Sequence, residues 1–111
     1  VRCQGLYGLP DNLESIYTGT FSAFGAINLA IALGFNPIYL LGFDYCLIDG
    51  RDHAFDDWGK PAGFVEHYLN RAKLEIESLA PLAAGAGINI INLSPKSALS
   101  CFDRGLLRDA L

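Results

Sequence analysis

Blocks of apolar residues alternate with short polar stretches along the chain, and this pattern predicts helices and strands in alternation. The longest apolar block, Ser22 to Leu33, has helical spacing with apolar residues on every face, and it predicts a buried helix. Asn28, a polar residue in this helix, is expected to hydrogen-bond to a neighbouring loop. The block Ile38–Leu41 predicts a strand whose two faces are both covered by helices. A second helix is predicted over residues 62–84 and a second strand over Ile88–Leu93. Helices that alternate with strands are typical of a parallel sheet.

Three weaker patterns flank these blocks. Residues 1–7 predict a short strand, and residues 104–111 predict a terminal helix. Ser94 followed by Pro95 predicts an N-cap and the first turn of a short helix. Pro81 is expected to end or kink the second helix, because proline has no backbone N–H to donate within it.

These elements together predict an α/β fold, a Rossmann-like parallel sheet flanked by helices. The sheet has two or three predicted strands, which is few for an open sheet, so we expect it to be incomplete. Residues 1–111 would form one such domain or the carboxyl-terminal part of one. The chain has no methionine and opens on Val1, and we expect a processed chain or a fragment of a longer protein.

Composition narrows the class of protein. The chain has 111 residues, of which 51% are hydrophobic and 18% charged, which predicts one folded domain rather than a disordered chain. The net charge of −4 and the scattered Lys and Arg residues argue against nucleic acid as a partner. No apolar run is long enough to span a membrane. Three widely spaced cysteines fit reduced thiols, and we expect a cytoplasmic protein.

A candidate site lies where the first helix begins and the first buried strand ends. Gly19 and Thr20 form a polar turn before the helix that starts at Ser22, while Gly42 and Asp44 follow the strand. Ligands of open α/β sheets bind beyond the carboxyl ends of strands and against helix N-termini, where N–H groups attract phosphate. We therefore expect both ends to face one crevice that receives an anion. Asp44 would bind a ribose hydroxyl or a metal, or would only cap the next turn. Ser22 and Ser94 would contribute to the anion site, or would be only helix caps.

Residues 44–61 predict a polar loop that contains five aspartates. His53 in this loop would bind phosphate or act as a general acid or base, or would be an exposed histidine without a role. The aspartates would hold magnesium with substrate phosphates, or would be a solvated acidic loop. His67, which shares the side of the second predicted helix with Arg71, Leu74 and Ser78, is expected to be solvated. The opposite side of that helix is an apolar stripe of Val65, Leu69, Ala72, Ile76 and Leu79.

Three runs of sequence together resemble a known family. SAFGAINLAIALGFNPIYLLGFDY, DGRDHAF and INIINLSPKSALSCF occur in this order between Ser22 and Phe102. They resemble the carboxyl-terminal half of the family that groups archaeal 6-hydroxymethyl-dihydropterin diphosphokinase with motility-associated flagellin glycosylation factors. They are also similar to bacterial single-domain sialyltransferases that use CMP-sialic acid. The resemblance implies a transferase that acts on a nucleotide-linked donor.

The resemblance also implies roles for individual residues. Ser22 matches the serine of the family's small polar turn, whereas Gly19 stands where sialyltransferases carry an arginine. Gly42, Phe43 and Asp44 match the family's Gly-x-Asp. The two donor-binding tyrosines of sialyltransferases fall at Cys46, beside Tyr45, and at His53. Ser94, Pro95 and Ser97 match the family's Ser-Pro-x-Ser segment, which is near the nucleotide in those enzymes. His67 lies in the region of their catalytic base, a residue or two out of register.

Our leading hypothesis is a nucleotide-dependent transferase, a glycosyltransferase with a CMP-linked nonulosonic sugar donor and no certain cofactor. The alternatives are a pterin diphosphokinase that needs ATP and magnesium, and a non-catalytic degenerate Rossmann module that associates with itself or another protein. The expected partners are a nucleotide-linked small molecule and a second copy of the chain. We predict His53 and Asp44 as catalytic residues. The predicted nucleotide- or phosphate-binding residues are Gly19, Thr20, Ser22, Gly42, Tyr45, Ser94 and Ser97.

Overall fold

The structure is a computed structural model of the chain. It describes residues 2–12, 14–45 and 64–111, the last range with side chains from residue 67 onward. The strands are β1 (Arg2–Gly5), β2 (Ser15–Tyr17), β3 (Ile38–Leu40), β4 (Ile90–Asn92) and β5 (Asp103–Arg104). The helices are α1 (Ser22–Ala32), α2 (Phe64–Glu77), α3 (Leu79–Gly85) and α4 (Leu107–Ala110). None of the helices described is long and apolar enough to cross a bilayer.

All strand pairs in the described part of the chain are parallel. β1 pairs with β2, with Cys3 opposite Ile16. The other sheet has the order β3-β4-β5, with Ile38 opposite Ile90 and Ile91 opposite Asp103. The structure is therefore a small mixed helix and strand domain with short parallel sheets, as the alternating pattern predicts. It has five strands among the described residues, where the sequence predicted two or three.

One cluster of buried side chains joins the helices to the β3-β4-β5 sheet. Phe24, Ile76 and Leu79 are completely buried in it, which places α1, α2 and α3 around the same core. Burial of a side chain of this size stabilises the fold by about 1.5–3 kcal/mol. The cluster consists of Phe24, Ile27, Ile38, Leu40, Ile76, Leu79, Ala83, Ile90, Leu99 and Phe102.

Two elements predicted to be buried on all sides have one exposed face instead. In α1 the buried residues are Phe24, Ile27 and Asn28, while Leu29 is 37% exposed. In β3 the flanking isoleucine and leucine are buried, but Tyr39 between them is 47% exposed. Both predictions were wrong for the same reason. Apolar residues on every face give no indication of which face finds a partner in the fold.

The second predicted helix is divided in two at Ser78, and Pro81 lies in the first turn of α3. A proline is tolerated there because the N–H groups of a first turn have no partner inside the helix. The predicted helix at Ser94 does not form, since that segment is irregular. The predicted terminal helix is restricted to α4, because Asp103 and Arg104 pair with β4 instead.

Candidate functional site

The turn before α1 encloses a carboxylate from α2. One oxygen of Glu75, Oε1, accepts hydrogen bonds from the backbone N–H of Thr20 (2.9 Å) and of Phe21 (3.0 Å). The other oxygen, Oε2, accepts from the hydroxyl of Thr20 and from that of Tyr7 (3.3 Å). The Glu75 residue is only 6% exposed. We call these four residues the Glu75 cluster; its negative charge lies at the amino end of α1, where the helix dipole favours an anion.

Gly19 allows the carboxylate to come this close to the turn. Its φ is +63°, a conformation that residues with a side chain rarely adopt. A Cβ atom at this position would also overlap Glu75 and the Phe24 side chain. Its backbone N–H donates to the carbonyl of Leu6 (2.7 Å), which fastens the turn to the segment after β1. The glycine is therefore required by the Glu75 cluster.

The buried amide of Asn28 connects α1 to the same region. Its Oδ1 accepts from the N–H of Tyr17 (2.9 Å), and its Nδ2 donates to the carbonyl of Gly8 (2.8 Å). The prediction that a polar residue in this apolar helix binds a neighbouring loop follows from the cost of burying an unpaired amide. The structure confirms a contact of that kind.

The carboxyl end of β3 reaches the surroundings of the Glu75 cluster through Tyr45. Burial, and after it the charges of Tyr68 and Glu75, raise the pKa of Tyr45 to about 12. The ring of Tyr68 packs edge-on against Phe21, with centroids 4.9 Å apart, and Phe21 is the N-cap of α1. Tyr45 also packs against the buried cluster that contains Phe24 of α1 and Ile76 of α2. Residues after β3 and residues before α1 therefore both lie beside α2 and the core.

Ser94, Ser97 and Asn92 form a second polar group, at the carboxyl ends of β3 and β4. Ser94 Oγ accepts from the N–H of Phe43 (2.8 Å), and Ser97 Oγ donates to the carbonyl of the same residue. Asn92 accepts from the N–H of Ser94 (3.0 Å) and donates to Ser97 Oγ (3.0 Å). We call this group the Ser94 cluster. Its hydrogen bonds join the ends of two parallel strands, so both serines have a clear role within the fold.

A cavity of about 460 Å³ lies beside the Glu75 cluster. Helical spacing explains its lining, because residues four apart on α2 follow one another along one face. His67, Arg71 and Glu75 are spaced in this way, and both His67 and Arg71 are exposed. The complete lining is Tyr7, His67, Arg71, Leu74, Glu75 and Ser78.

A second cavity, of about 380 Å³, lies beyond the carboxyl ends of the β3-β4-β5 strands. Its walls are mostly leucine side chains, together with Ser94 and Pro95. Arg104 is the cation of this cavity, but its guanidinium donates to the carbonyl of Ser94 (2.6 Å) and more weakly to that of Pro95 (3.4 Å). The charged group is therefore already used to hold the segment after β4.

The remaining predicted site residues are placed as follows. Ser22 is the exposed first residue of α1 and not its N-cap, so the cap interpretation was wrong for this serine. Gly42 has φ +79°, and no atom of the described residues lies within 4 Å of the position that a Cβ atom would take. Asp44 is partly buried, and its carbonyl accepts from the N–H of Ala98 (2.7 Å). His53 and four of the five loop aspartates lie outside the described residues.

Sequence reasoning missed Glu75 and Arg71. The apolar stripe predicted for this helix includes Ala72, Ile76 and Leu79, which are all buried. Glu75 directly precedes one of these positions and lies three residues after another, so a carboxylate at the margin of a buried stripe was a signal. Such a group needs internal hydrogen-bond donors. The sequence did not show that the donors are in the turn before α1.

Two further observations bear on the class of site. In the ranges that the structure describes, no group of three or more His, Cys, Asp or Glu side chains is arranged to hold a metal ion. Comparison of the chain with protein-family models, curated proteins and solved structures found no match. The proposals below therefore depend on the residues and their geometry.

Proposed function

We propose that this chain is a nucleotide-dependent transferase with a Rossmann-like arrangement, a glycosyltransferase whose donor is a CMP-linked nonulosonic sugar. The donor would bind in the crevice between the amino end of α1 and the carboxyl end of β3. The supporting observation is that both ends adjoin α2 and the core. Glu75 of α2 bonds to the turn before α1, and Tyr45, after β3, packs against the cluster that contains Phe24 and Ile76. Ligands of parallel sheets bind in crevices of this kind.

Within this proposal Asp44 binds the ribose of the nucleotide. The residue follows β3 and is partly exposed. Its bond to the N–H of Ala98 uses the backbone carbonyl of Asp44 and not the side-chain carboxylate. A carboxylate after a strand is suited to accept hydrogen bonds from ribose hydroxyls. His53 is the proposed catalytic partner, although it lies outside the described residues.

Calorimetric titration with CMP and CDP tests the proposal. A ligand at one hundred times its dissociation constant stabilises the folded state by about 2.7 kcal/mol, which raises the melting temperature by several degrees. We expect heat and a thermal shift for the unmodified chain, weaker binding for Asp44→Ala, and unchanged binding for Asp109→Ala, an exposed aspartate in α4. Absence of both heat and thermal shift, with and without magnesium, would overturn the proposal.

One observation favours a second candidate, a non-catalytic module that associates with itself. The backbone N–H groups of Thr20 and Phe21, in the turn expected to bind phosphate, are bonded to Glu75. A chain that satisfies its own anion site in this way has less capacity for a donor phosphate. A stable dimer in light scattering, together with Asp44→Ala and His53→Ala variants that behave like the unmodified chain in all ligand assays, would establish this candidate over the transferase. The diphosphokinase alternative would instead require strict magnesium dependence and ATP binding.

A further inference from the structure

The cavity beside the Glu75 cluster contains a cation that has no ion-pair partner among the residues the structure describes. Arg71 lines it on the exposed face of α2, one helical turn before Glu75. Glu75 directs its carboxylate to Thr20, Phe21 and Tyr7 and forms no ion pair with Arg71. In the described part of the chain, Arg71 pairs with no carboxylate, whereas Lys73 on the same helix pairs with Glu77 at 3.5 Å. The guanidinium is therefore available to an external anion.

His67 adds a second donor on the same face. It precedes Arg71 by four residues, so the two side chains are neighbours on the surface of α2 and line the same cavity. An imidazole ring has at least one N–H donor in either protonation state, and a guanidinium offers two parallel donors that fit two oxygens of a phosphate. The pair can bind one phosphate group from two directions.

The other walls suit the uncharged part of a nucleotide. Tyr7 and Leu74 are 51% and 67% exposed, and both line the cavity. The Tyr7 ring is held in place by its edge contact with Phe24, with centroids 5.6 Å apart, and by its hydrogen bond to Glu75. The volume of about 460 Å³ lies within the range of small-molecule sites.

We propose that Arg71 and His67 bind the phosphate of the nucleotide-linked donor in this cavity, and that Tyr7 and Leu74 contact its base or sugar. This inference rests on the proposed function. It differs from the sequence-based expectation, because the phosphate would bind to side chains of α2 and not to the N–H groups before α1. Glu75 lines this cavity and also bonds to the turn at the crevice between α1 and β3, so the donor would span both, with its ribose at Asp44. Glu75 then has a positioning role, since it keeps the Thr20 turn closed and the Tyr7 ring at the wall of the cavity.

The test compares Arg71→Ala, Arg71→Lys and the control Arg108→Ala in calorimetric titrations. Arg108 is an exposed arginine in α4 that lines neither cavity. Relative to the unmodified chain, we expect CMP to bind about tenfold to hundredfold more weakly to Arg71→Ala and with a smaller loss of affinity to Arg71→Lys. Its affinity for Arg108→Ala should be unchanged. His67→Ala should show a smaller loss. Circular dichroism would confirm that each variant is folded, which is expected because the substituted side chains are exposed.

Further titrations separate this inference from the proposed function. Cytidine, which lacks the phosphate, should bind equally to the unmodified chain and to Arg71→Ala. A free nonulosonic acid, which has a carboxylate but no phosphate, should bind without dependence on Arg71; dependence there would overturn the phosphate assignment. CMP binding that is unchanged in Arg71→Ala would overturn the inference and leave the proposed function intact. Inorganic phosphate binding that needs Arg71, without any CMP binding, would support a phosphate site at Arg71 and would overturn the proposed function. Absence of binding by CMP and phosphate alike would overturn both.

Discussion

The Glu75 cluster and the Ser94 cluster each contain residues predicted for an anion site, Thr20 in the first and Ser94 and Ser97 in the second, and both clusters satisfy these polar groups internally. They differ in charge and in what lies beside them. The Glu75 cluster contains a buried carboxylate, and the adjacent cavity has an arginine with no carboxylate partner in the described chain. The Ser94 cluster is neutral, and the arginine beside it is bonded to backbone carbonyls.

This difference separates a structural polar group from a candidate for binding. Serine and asparagine side chains at strand ends have few donors and acceptors, and neighbouring backbone can satisfy all of them. A buried carboxylate needs several donors, and when these occupy its oxygens it has less capacity to pair with a nearby cation as well. The guanidinium of Arg71, which has no carboxylate partner among the described residues, is therefore a better indicator of a ligand site than the polar residues of either cluster. On this argument the α2 cavity is a better candidate than the cavity beyond β4 and β5.

The largest expected effect on stability follows from removal of the carboxylate of the Glu75 cluster. Glu75→Ala leaves the N–H groups of Thr20 and Phe21 and two hydroxyls without their acceptor, and we expect a loss of about 3 kcal/mol in the free energy of unfolding. Urea denaturation measures this loss. The control is Glu77→Ala, which removes a surface pair with Lys73 and should cost about 0.3–0.5 kcal/mol. Equal losses in the two variants would mean that the cluster does not stabilise the fold.

A slightly smaller effect is expected when the turn is crowded. Gly19→Ala combines a positive φ with overlap against Glu75 and Phe24, and should cost roughly 2–3 kcal/mol. Gly42→Ala has a similar positive φ but open space, so it should cost only the backbone strain of about 1 kcal/mol. The difference between the two variants in urea denaturation measures the close approach of the carboxylate. If both lose the same amount, the turn has room for a methyl group.

The sequence was sufficient for elements that depend on local pattern. Continuous apolar blocks located α1, β3 and β4, and the isolated polar position Asn28 indicated a buried hydrogen bond. β2 and β5 were missed because neither lies in a continuous apolar block, and their pairing depends on the adjacent strand. Contacts between distant segments could not be predicted from local pattern.

The candidate site shows the same limit. The Ser94 and Pro95 pair has the local signature of a helix start, but Ser94 instead bonds to the N–H of Phe43, 51 residues away. Glu75 finds its partner in Thr20, 55 residues away. Helical spacing correctly placed His67 and Arg71 on an exposed face, yet it gave no sign that this face borders a cavity. Long-range partners decide which polar residues remain available.

Within the Ser94 cluster a moderate effect is expected. Ser94→Ala removes the acceptor of the Phe43 N–H while it leaves the Ser94 backbone contacts in place, and should cost about 1–2 kcal/mol in the free energy of unfolding. The matched control is Ser100→Ala at an exposed position, where we expect a change within about 0.5 kcal/mol. If the cluster is only structural, CMP binding should be the same in Ser94→Ala as in the unmodified chain. A loss of CMP affinity without a loss of stability would instead show that Ser94 contributes to ligand binding.

The smallest expected effect is the pH dependence contributed by Tyr45. Its pKa is raised to about 12 from the ordinary value of 10.0, first by burial and then by Tyr68 and Glu75, so the folded state holds this proton more tightly than the unfolded chain. The stabilising contribution is complete below pH 10 and is lost as the pH rises toward 12. Tyr45→Phe should therefore lose less stability than the unmodified chain across this interval in urea denaturation.

Tyr39→Phe is the control for this measurement, because Tyr39 lies in β3 and is exposed, whereas burial is the main cause of the raised pKa of Tyr45. The Tyr39→Phe variant should follow the alkaline profile of the unmodified chain. Absorbance titration of the phenol groups should show one late-titrating tyrosine that is absent from Tyr45→Phe and present in Tyr39→Phe. Glu75→Gln should shift that late titration to lower pH, because one negative charge near Tyr45 is removed. If Glu75→Gln leaves the titration unchanged, the charge of the Glu75 cluster does not act on Tyr45 at the carboxyl end of β3, and the proposed crevice between β3 and α1 loses its electrostatic support.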